Sequence, residues 1–270
     1  MRSFLRSLTP EQQVSLLFVL VFGLLLLATA GAILLSLRER HHPDPDTGGR
    51  TLRLQDVQAL LRSSWLMALV FWIGWAAGDG VAIVLFGLVS FFILREFISL
   101  SPTRRGDHRS LLLAFFVVLP VQYGLVWTRH FDLFTVFIPV YVFLALPVVS
   151  ALANDPQRFL ERNAKLQWGI MVCVYGLSHV PALLLLAFPR FAGRMAFLVF
   201  FLVAVVQTCM LVQHLVARRL ADPVAPAISE SFHWRSWTAG LAAGGLLDRV
   251  DALCFAAPVF FHSVRWTFNL

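Results

Sequence analysis

Eight apolar stretches punctuate the chain, at residues 15–37, 65–78, 81–100, 111–127, 133–153, 166–188, 195–216 and 252–268. Most approach the roughly 20 apolar residues that a helix needs to cross a bilayer. The second is short and reads as one arm of a hairpin with the third. No stretch alternates apolar and polar residues with the period of an outer-membrane strand. Helices are then the only way to satisfy the backbone inside lipid. The pattern predicts an all-α, polytopic integral membrane protein of about eight transmembrane helices, with residues 1–270 forming a single membrane domain.

The polar segments between the stretches sort their charge. Segments after the first, third, fifth and seventh stretches carry fifteen Arg and Lys residues, including Arg104, Arg158, Lys165, Arg218 and Arg235. The other ends carry six: Arg2, Arg6, Arg129, Arg190, Arg194 and Arg265. Basic loops stay in the cytoplasm. The four longer loops are therefore expected inside and both termini outside. Arg2, Arg6 and Ala28-Thr29-Ala30 imitate a signal peptide. The apolar run continues to Leu37, longer than a signal core, and so reads as a span. Residues 38–64 form the first cytoplasmic loop. His41-His42-Pro43-Asp44-Pro45-Asp46 is turn-like, and its irregular spacing favours a solvated loop over a metal site. Leu54, Val57, Leu60 and Leu61 follow at helical spacing and predict an interfacial helix.

Composition agrees with the pattern. The chain is 59% hydrophobic and 14% charged, with a mean hydropathy of +0.76, against about 25% charged residues in a soluble domain. The net charge of +7 would suggest nucleic acid in a soluble protein. Here loop arginines account for it, and no nucleic-acid partner is expected. Lys165 is the single lysine, so chemistry that needs several is excluded. Cys173, Cys209 and Cys254 all sit in apolar runs and read as small buried hydrophobes.

Ionisable groups inside spans are costly and need a reason. Arg95-Glu96 lies within two turns of the cytoplasmic end of the third span. It fits either a snorkelling pair or an ion pair facing a polar cavity. His179 lies mid-span in Ser178-His179-Val180-Pro181, where a local hydrogen-bond partner or a lipid head group would serve it. Gln167, Trp168 and Tyr123 read as interface residues. Gly74 and Gly78 have the spacing of small-residue helix packing.

The most specific constellation is Gly244-Gly245-Leu246-Leu247-Asp248-Arg249-Val250-Asp251. On a helix, Asp248 and Asp251 share one face. Two acids at the cytoplasmic mouth of a span suit a hard divalent cation that keeps positions open for phosphate. They equally suit the start of a helix, where acids are stabilised.

This segment, with Ala256-Ala257-Pro258-Val259-Phe260 after it, resembles the C-terminal signature of the phosphatidate cytidylyltransferases, the CDP-diacylglycerol synthases. Leu94-Arg95-Glu96-Phe97, Pro120-Val121-Gln122-Tyr123, Phe137-Ile138-Pro139-Val140-Tyr141, Gln167-Trp168-Gly169 and Ser178-His179-Val180-Pro181 resemble a bacterial subgroup of the same family. The resemblance implies an enzyme of phospholipid biosynthesis in the bacterial inner membrane. It would join CTP and phosphatidate, with Mg²⁺, to give CDP-diacylglycerol and pyrophosphate. Asp248 and Asp251 would be the metal-binding and catalytic pair. Arg218, Arg219, Arg235, Arg249, Gly244, Gly245 and Ser229 would contact substrate. A homodimer is among the assemblies open to such a chain.

The chain departs from the family pattern at several positions. The family has an acid in the span before the nucleotide segment, where this chain reads Val206-Gln207-Thr208-Cys209-Met210-Leu211. Phe232 and His233 stand where Lys and Thr are expected after Ser229. Ala243 replaces the His before the paired glycines. Further spans and a Lys-Arg pair are missing, so residues 217–247 form a shortened nucleotide-site segment. Losing one electrostatic stabiliser commonly costs about 10²–10³ in rate. Two readings stay open: an active CDP-lipid synthase, or a catalytically impaired relative that binds lipid phosphate or a partner membrane protein. The missing acids favour the second. A transporter gains little, since no inverted repeat is evident.

Overall fold

The computed structural model describes residues 9–41, 48–100, 104–186, 195–219 and 246–268. These residues form eight helical segments and no strand. They are α1 (Pro10–His41), α2 (Gly48–Ala76), α3 (Asp79–Ser99), α4 (His108–Trp127), α5 (Phe131–Ala151), α6 (Phe159–Leu185), α7 (Met195–Arg219) and α8 (Leu246–Phe268). Each covers one of the eight apolar stretches. Five of them are long and apolar enough to cross a membrane by length and composition: the 11–34 part of α1, and α3, α4, α5 and α6. The predicted all-helical membrane architecture is the observed one.

Local sequence explains the ends. Thr9 and Gln12 form a reciprocal capping box at the start of α1, with Pro10 in the first turn. That arrangement satisfies two orphan N–H groups where proline needs none. Gly78 turns the chain between α2 and α3 at φ +90°, a conformation that favours glycine. It is therefore a turn residue, while Gly74 does pack, against Ala82 of α3. The segment expected to be an interfacial helix is helical, and it runs without a break into α2. Residues 42–47, with the second His and the two Asp of the turn-like loop, lie outside the described residues.

Helix α6 is the axis of the bundle. Its apolar window is 72% buried, against 17–39% for the other four spans. It touches α3, α4, α5, α7 and α8, while α1 and α2 flank the side of α3 and α7. Three spans contain a π segment: Ala114–Val118 in α4, Phe137–Val142 in α5 and Met171–Gly176 in α6. Proline explains part of this, because it removes a backbone donor and crowds the preceding turn. Pro139 takes the α-type donor from the Thr135 carbonyl, and the Tyr175 hydroxyl donates to that carbonyl at 3.3 Å. Pro258 does the same for Cys254, whose carbonyl oxygen lies directly against Gly176. The backbones of α6 and α8 meet there because Gly176 has no side chain. Cys173 and Cys254 are buried near this crossing, as small hydrophobes.

A methyl group at Gly176 would collide with backbone that cannot swing aside. Gly176→Ala should therefore lower stability by about 1–3 kcal/mol, the range for overpacking. Gly31→Ala, which meets nothing within 4 Å, should not. Thermal unfolding in detergent, followed by loss of the monodisperse elution peak, separates the two variants. Equal midpoints would refute the close crossing.

Candidate functional site

Two polar layers are built on α6, one at an end of the bundle and one within the spans. At the start of α6, Arg162 is a hub. Its Nε lies 2.9 Å from Asp107 Oδ1 as an ion pair. Its Nη1 donates to Asp155 Oδ2 at 2.6 Å and to the Gln157 carbonyl at 2.9 Å. Its Nη2 donates to the Asp155 carbonyl at 3.1 Å. Asp155 sits in the 152–158 loop, and Asp107 in the short turn before α4. Arg104 adds a bond to Gln157 at 2.5 Å. One turn deeper, Ser110 donates to Ser150, and Ser150 to Asn163 Oδ1, both at 2.7 Å. This end of the bundle is a staple between α4, α5 and α6. Hydrogen bonding from Arg162 holds the Asp155 carboxyl below the ordinary aspartate range.

The second layer lies deeper in the spans. Gln122 Nε2 donates to Ser178 Oγ at 3.2 Å and to the Phe134 carbonyl at 3.4 Å. Ser178 Oγ and His179 Nδ1 both donate to the Tyr175 carbonyl, at 2.8 and 2.7 Å. Those acceptors fix the amide orientation and the imidazole tautomer. Gln122 Oε1 and His179 Nε2 are left buried without a protein partner. Both are acceptors, so the cluster offers lone pairs and no free N–H. It suits a hydroxyl or water donor and not a phosphate. His179 has the local partner expected of it, from Tyr175. At 0% exposure it is out of reach of a lipid head group.

Tyr123 corrects the sequence reading. It is buried, donates to the Phe86 carbonyl at 3.0 Å and lies 2.6 Å from Ser90 Oγ. It joins α4 to α3 and is no interface residue. Trp168 is half-exposed. Gln167 donates to the Phe143 carbonyl at 2.8 Å. Phe97 lies 2.6 Å from where a Cβ of Gly169 would be, so the ring occupies the space that the glycine leaves. Arg95, four residues from the end of α3, is exposed, as snorkelling requires. The apparently scattered segments 94–97, 120–123, 137–141, 167–169 and 178–181 are thus largely the mutual contacts of α3, α4, α5 and α6.

The acids named from sequence fall at the staple end. Asp248, Arg249 and Asp251 occupy the first two turns of α8, so the expected helical spacing of the two acids is observed. Contacts of Trp168 with Phe255 and of Tyr175 with His262 run α6 and α8 in the same direction. Phe71 meets Phe200 and Met67 meets Gln207, so α7 runs against α2. Helix α2 folds back on α3 at Gly78. Helix α3 runs against α4, by the Phe86–Tyr123 and Phe91–Phe115 contacts. Helix α4 runs with α6, by the Asp107–Arg162 and Gln122–Ser178 contacts. So α7 runs against both α6 and α8. The start of α8, the start of α6 and the end of α7 with Arg218 and Arg219 therefore share one end of the bundle. The opposite end holds the ion pairs Asp79–Arg129, at 3.8 Å, and Asp132–Arg265, at 2.9 Å. Ser229, Arg235, Gly244 and Gly245 lie outside the described residues. So do the side chains of Arg218, Arg219, Asp248, Arg249 and Asp251. Among the described residues, no group of three or more His, Cys, Asp or Glu could hold a metal.

Comparison with known proteins agrees with this architecture. The sequence matches the cytidylyltransferase family over residues 57–234, from within α2 to beyond α7. The chain belongs to the phosphatidate cytidylyltransferase family. The matched residues include all five segments from α3 to α6 and stop before the acids of α8. An uncharacterized protein of Escherichia coli (strain K12), YnbB, is 27% identical, the match covering 91% of this chain and 96% of YnbB. That match runs over 304 positions, more than the 270 residues of this cytidylyltransferase relative. YnbB therefore contains residues with no counterpart here, so within the match this chain is shorter than YnbB. No solved structure matches it.

The depressed acidity of Asp155 gives a pH dependence with a definite sign. The staple contributes fully above the ordinary aspartate pKa and is lost as pH falls through the lowered value. Thermal midpoints of the wild type should therefore drop between about pH 5 and pH 2 more steeply than those of Asp155→Asn. Parallel curves would show that the Arg162–Asp155 bond does not form.

Proposed function

We propose that the protein is a membrane-bound CMP transferase of phospholipid biosynthesis, acting on CTP and phosphatidate. Family membership carries this reading. It is supported by the helical placement of Asp248 and Asp251 at the end of the bundle where basic residues collect. On this proposal that end faces the cytoplasm of a bacterial inner membrane, where CTP is available.

In the reaction an oxygen of the phosphatidate phosphate attacks the α-phosphorus of CTP. A new P–O–P bond forms, the bond to the β-phosphate oxygen breaks, and pyrophosphate leaves with that electron pair. Such transfers depend mainly on position and on neutralising charge. Asp248 and Asp251, three apart on α8, are an oxygen donor set suited to one Mg²⁺. Bound there, the ion would neutralise phosphate charge. Arg218, Arg219, Arg235 and Arg249 would bind the phosphates, as forked donors. Ser229, Gly244 and Gly245 would let the backbone approach the nucleotide.

A second reading has its own observation. The absence of an acid from 206–211, with Phe232 and His233 in place of Lys and Thr, favours a relative that binds phosphatidate without turning it over.

One assay decides between them. Purified protein in lipid vesicles, given CTP, Mg²⁺ and phosphatidate, should release pyrophosphate on the first reading, and Asp248→Asn or Asp251→Asn should lower the rate at least 10²-fold. Phosphatidate binding with no pyrophosphate would establish the second reading. Full activity in both Asn variants would remove these acids from the site.

A further inference from the structure

Tyr175 and His179 lie one turn apart on the same face of α6. His262 of α8 stands against both. Its Nε2 is 3.4 Å from the Tyr175 hydroxyl oxygen, and its ring centre is 5.5 Å from that of His179. The His179 ring is also met by Phe134 of α5 and Phe261 of α8, at 4.7 and 5.1 Å.

His179 Nδ1 gives its hydrogen to the Tyr175 carbonyl on its own helix. Nε2, on the far edge of the ring, therefore carries a lone pair. That atom is buried without a partner, in a residue that is 0% exposed. Of the rings that reach it from other helices, the two phenylalanines offer no donor atom and His262 offers a nitrogen. The Tyr175 hydroxyl gives its hydrogen to the Thr135 carbonyl at 3.3 Å, so its oxygen also keeps a lone pair.

Neutral imidazoles beside a phenol, with no acid among them, are a donor set for copper or zinc and a poor one for magnesium. Two imidazoles that share one such ion at about 2 Å hold their ring centres about 5–5.5 Å apart, so the observed spacing needs no movement of the helices. His179 also has the support usual for a metal-bound imidazole, its other N–H fixed by a backbone carbonyl. Arg265, on the same face of α8 as His262, has its charge matched by Asp132 at 2.9 Å. His262 is exposed, and an ion would enter from its side, at the end of the bundle opposite the staple. Positions left over would hold water, which makes the site open and its ion exchangeable.

We propose that His179 and His262, beside the Tyr175 oxygen, bind a divalent transition-metal ion between α6 and α8, in a site separate from Asp248 and Asp251. The proposal is independent of CTP and phosphatidate. Its test uses Cu²⁺ alone, added to the full protein without an affinity tag in nanodiscs. His41 and His42 are replaced by Ala throughout, because an adjacent pair can take the ion by itself. Pulsed electron paramagnetic resonance then counts the imidazoles on the bound copper.

Two imidazoles are expected. His262→Gln should leave at most one and weaken binding about tenfold or more, and His179→Gln should do the same. His262 is at the surface, so its variant carries the test if the His179 variant fails to fold. Failure of the parent protein to retain Cu²⁺ would overturn the site. So would a two-imidazole spectrum that His262→Gln leaves unchanged.

Discussion

Inside a bilayer a polar side chain has no water to fall back on, and this constraint organises the molecule around α6. Asn163, Gln167, Tyr175, Ser178 and His179 all lie on that helix, and each finds a partner on its own backbone or on α4, α5 or α8. Apolar faces slide past one another at little cost in lipid, since chains and side chains are equally apolar. Polar pairs do not slide. The Gln122–Ser178 and Ser150–Asn163 bonds fix the depth and rotation of α4 and α5 against α6. Gly169 and Gly176 fix the approach of α3 and α8 by what they lack. Register is thus set by a few polar pairs and two missing side chains, and the hydrophobic bulk follows.

That registry has a functional consequence. Running α8 in the same direction as α6 brings Asp248 and Asp251 to the end where Arg162 ties two loops together. Running α7 the opposite way brings Arg218 and Arg219 to the same end. A site for a triphosphate and a lipid phosphate needs both kinds of group at one bilayer surface. The polar layer around Gln122 and His179 lies deeper and offers only acceptors. On the proposed function, anionic chemistry would take place at the staple end, while the deeper layer holds the bundle together.

Much of this was legible in the sequence because length and charge are one-dimensional signals. The eight apolar stretches became α1 to α8, and the arginine count identified which ends lie together. Tyr123 was misread because a tyrosine at a membrane surface and one that donates to a neighbouring helix look alike without the neighbour. Gly78 has packing spacing, yet its role is decided by φ. Gly176 carries no periodic signal at all, since its importance comes from Cys254, 78 positions away in the chain. The family-like segments are largely where α3, α4, α5 and α6 touch.

The central claim is that the acids of α8 and the basic end around them form a nucleotide site. Calorimetric titration of the protein in nanodiscs with CTP, with and without Mg²⁺, tests it most directly. Binding should depend on Mg²⁺ and should be lost in the Asp248→Asn/Asp251→Asn double variant. CTP binding of equal strength with and without Mg²⁺, unchanged in the double variant, would contradict it.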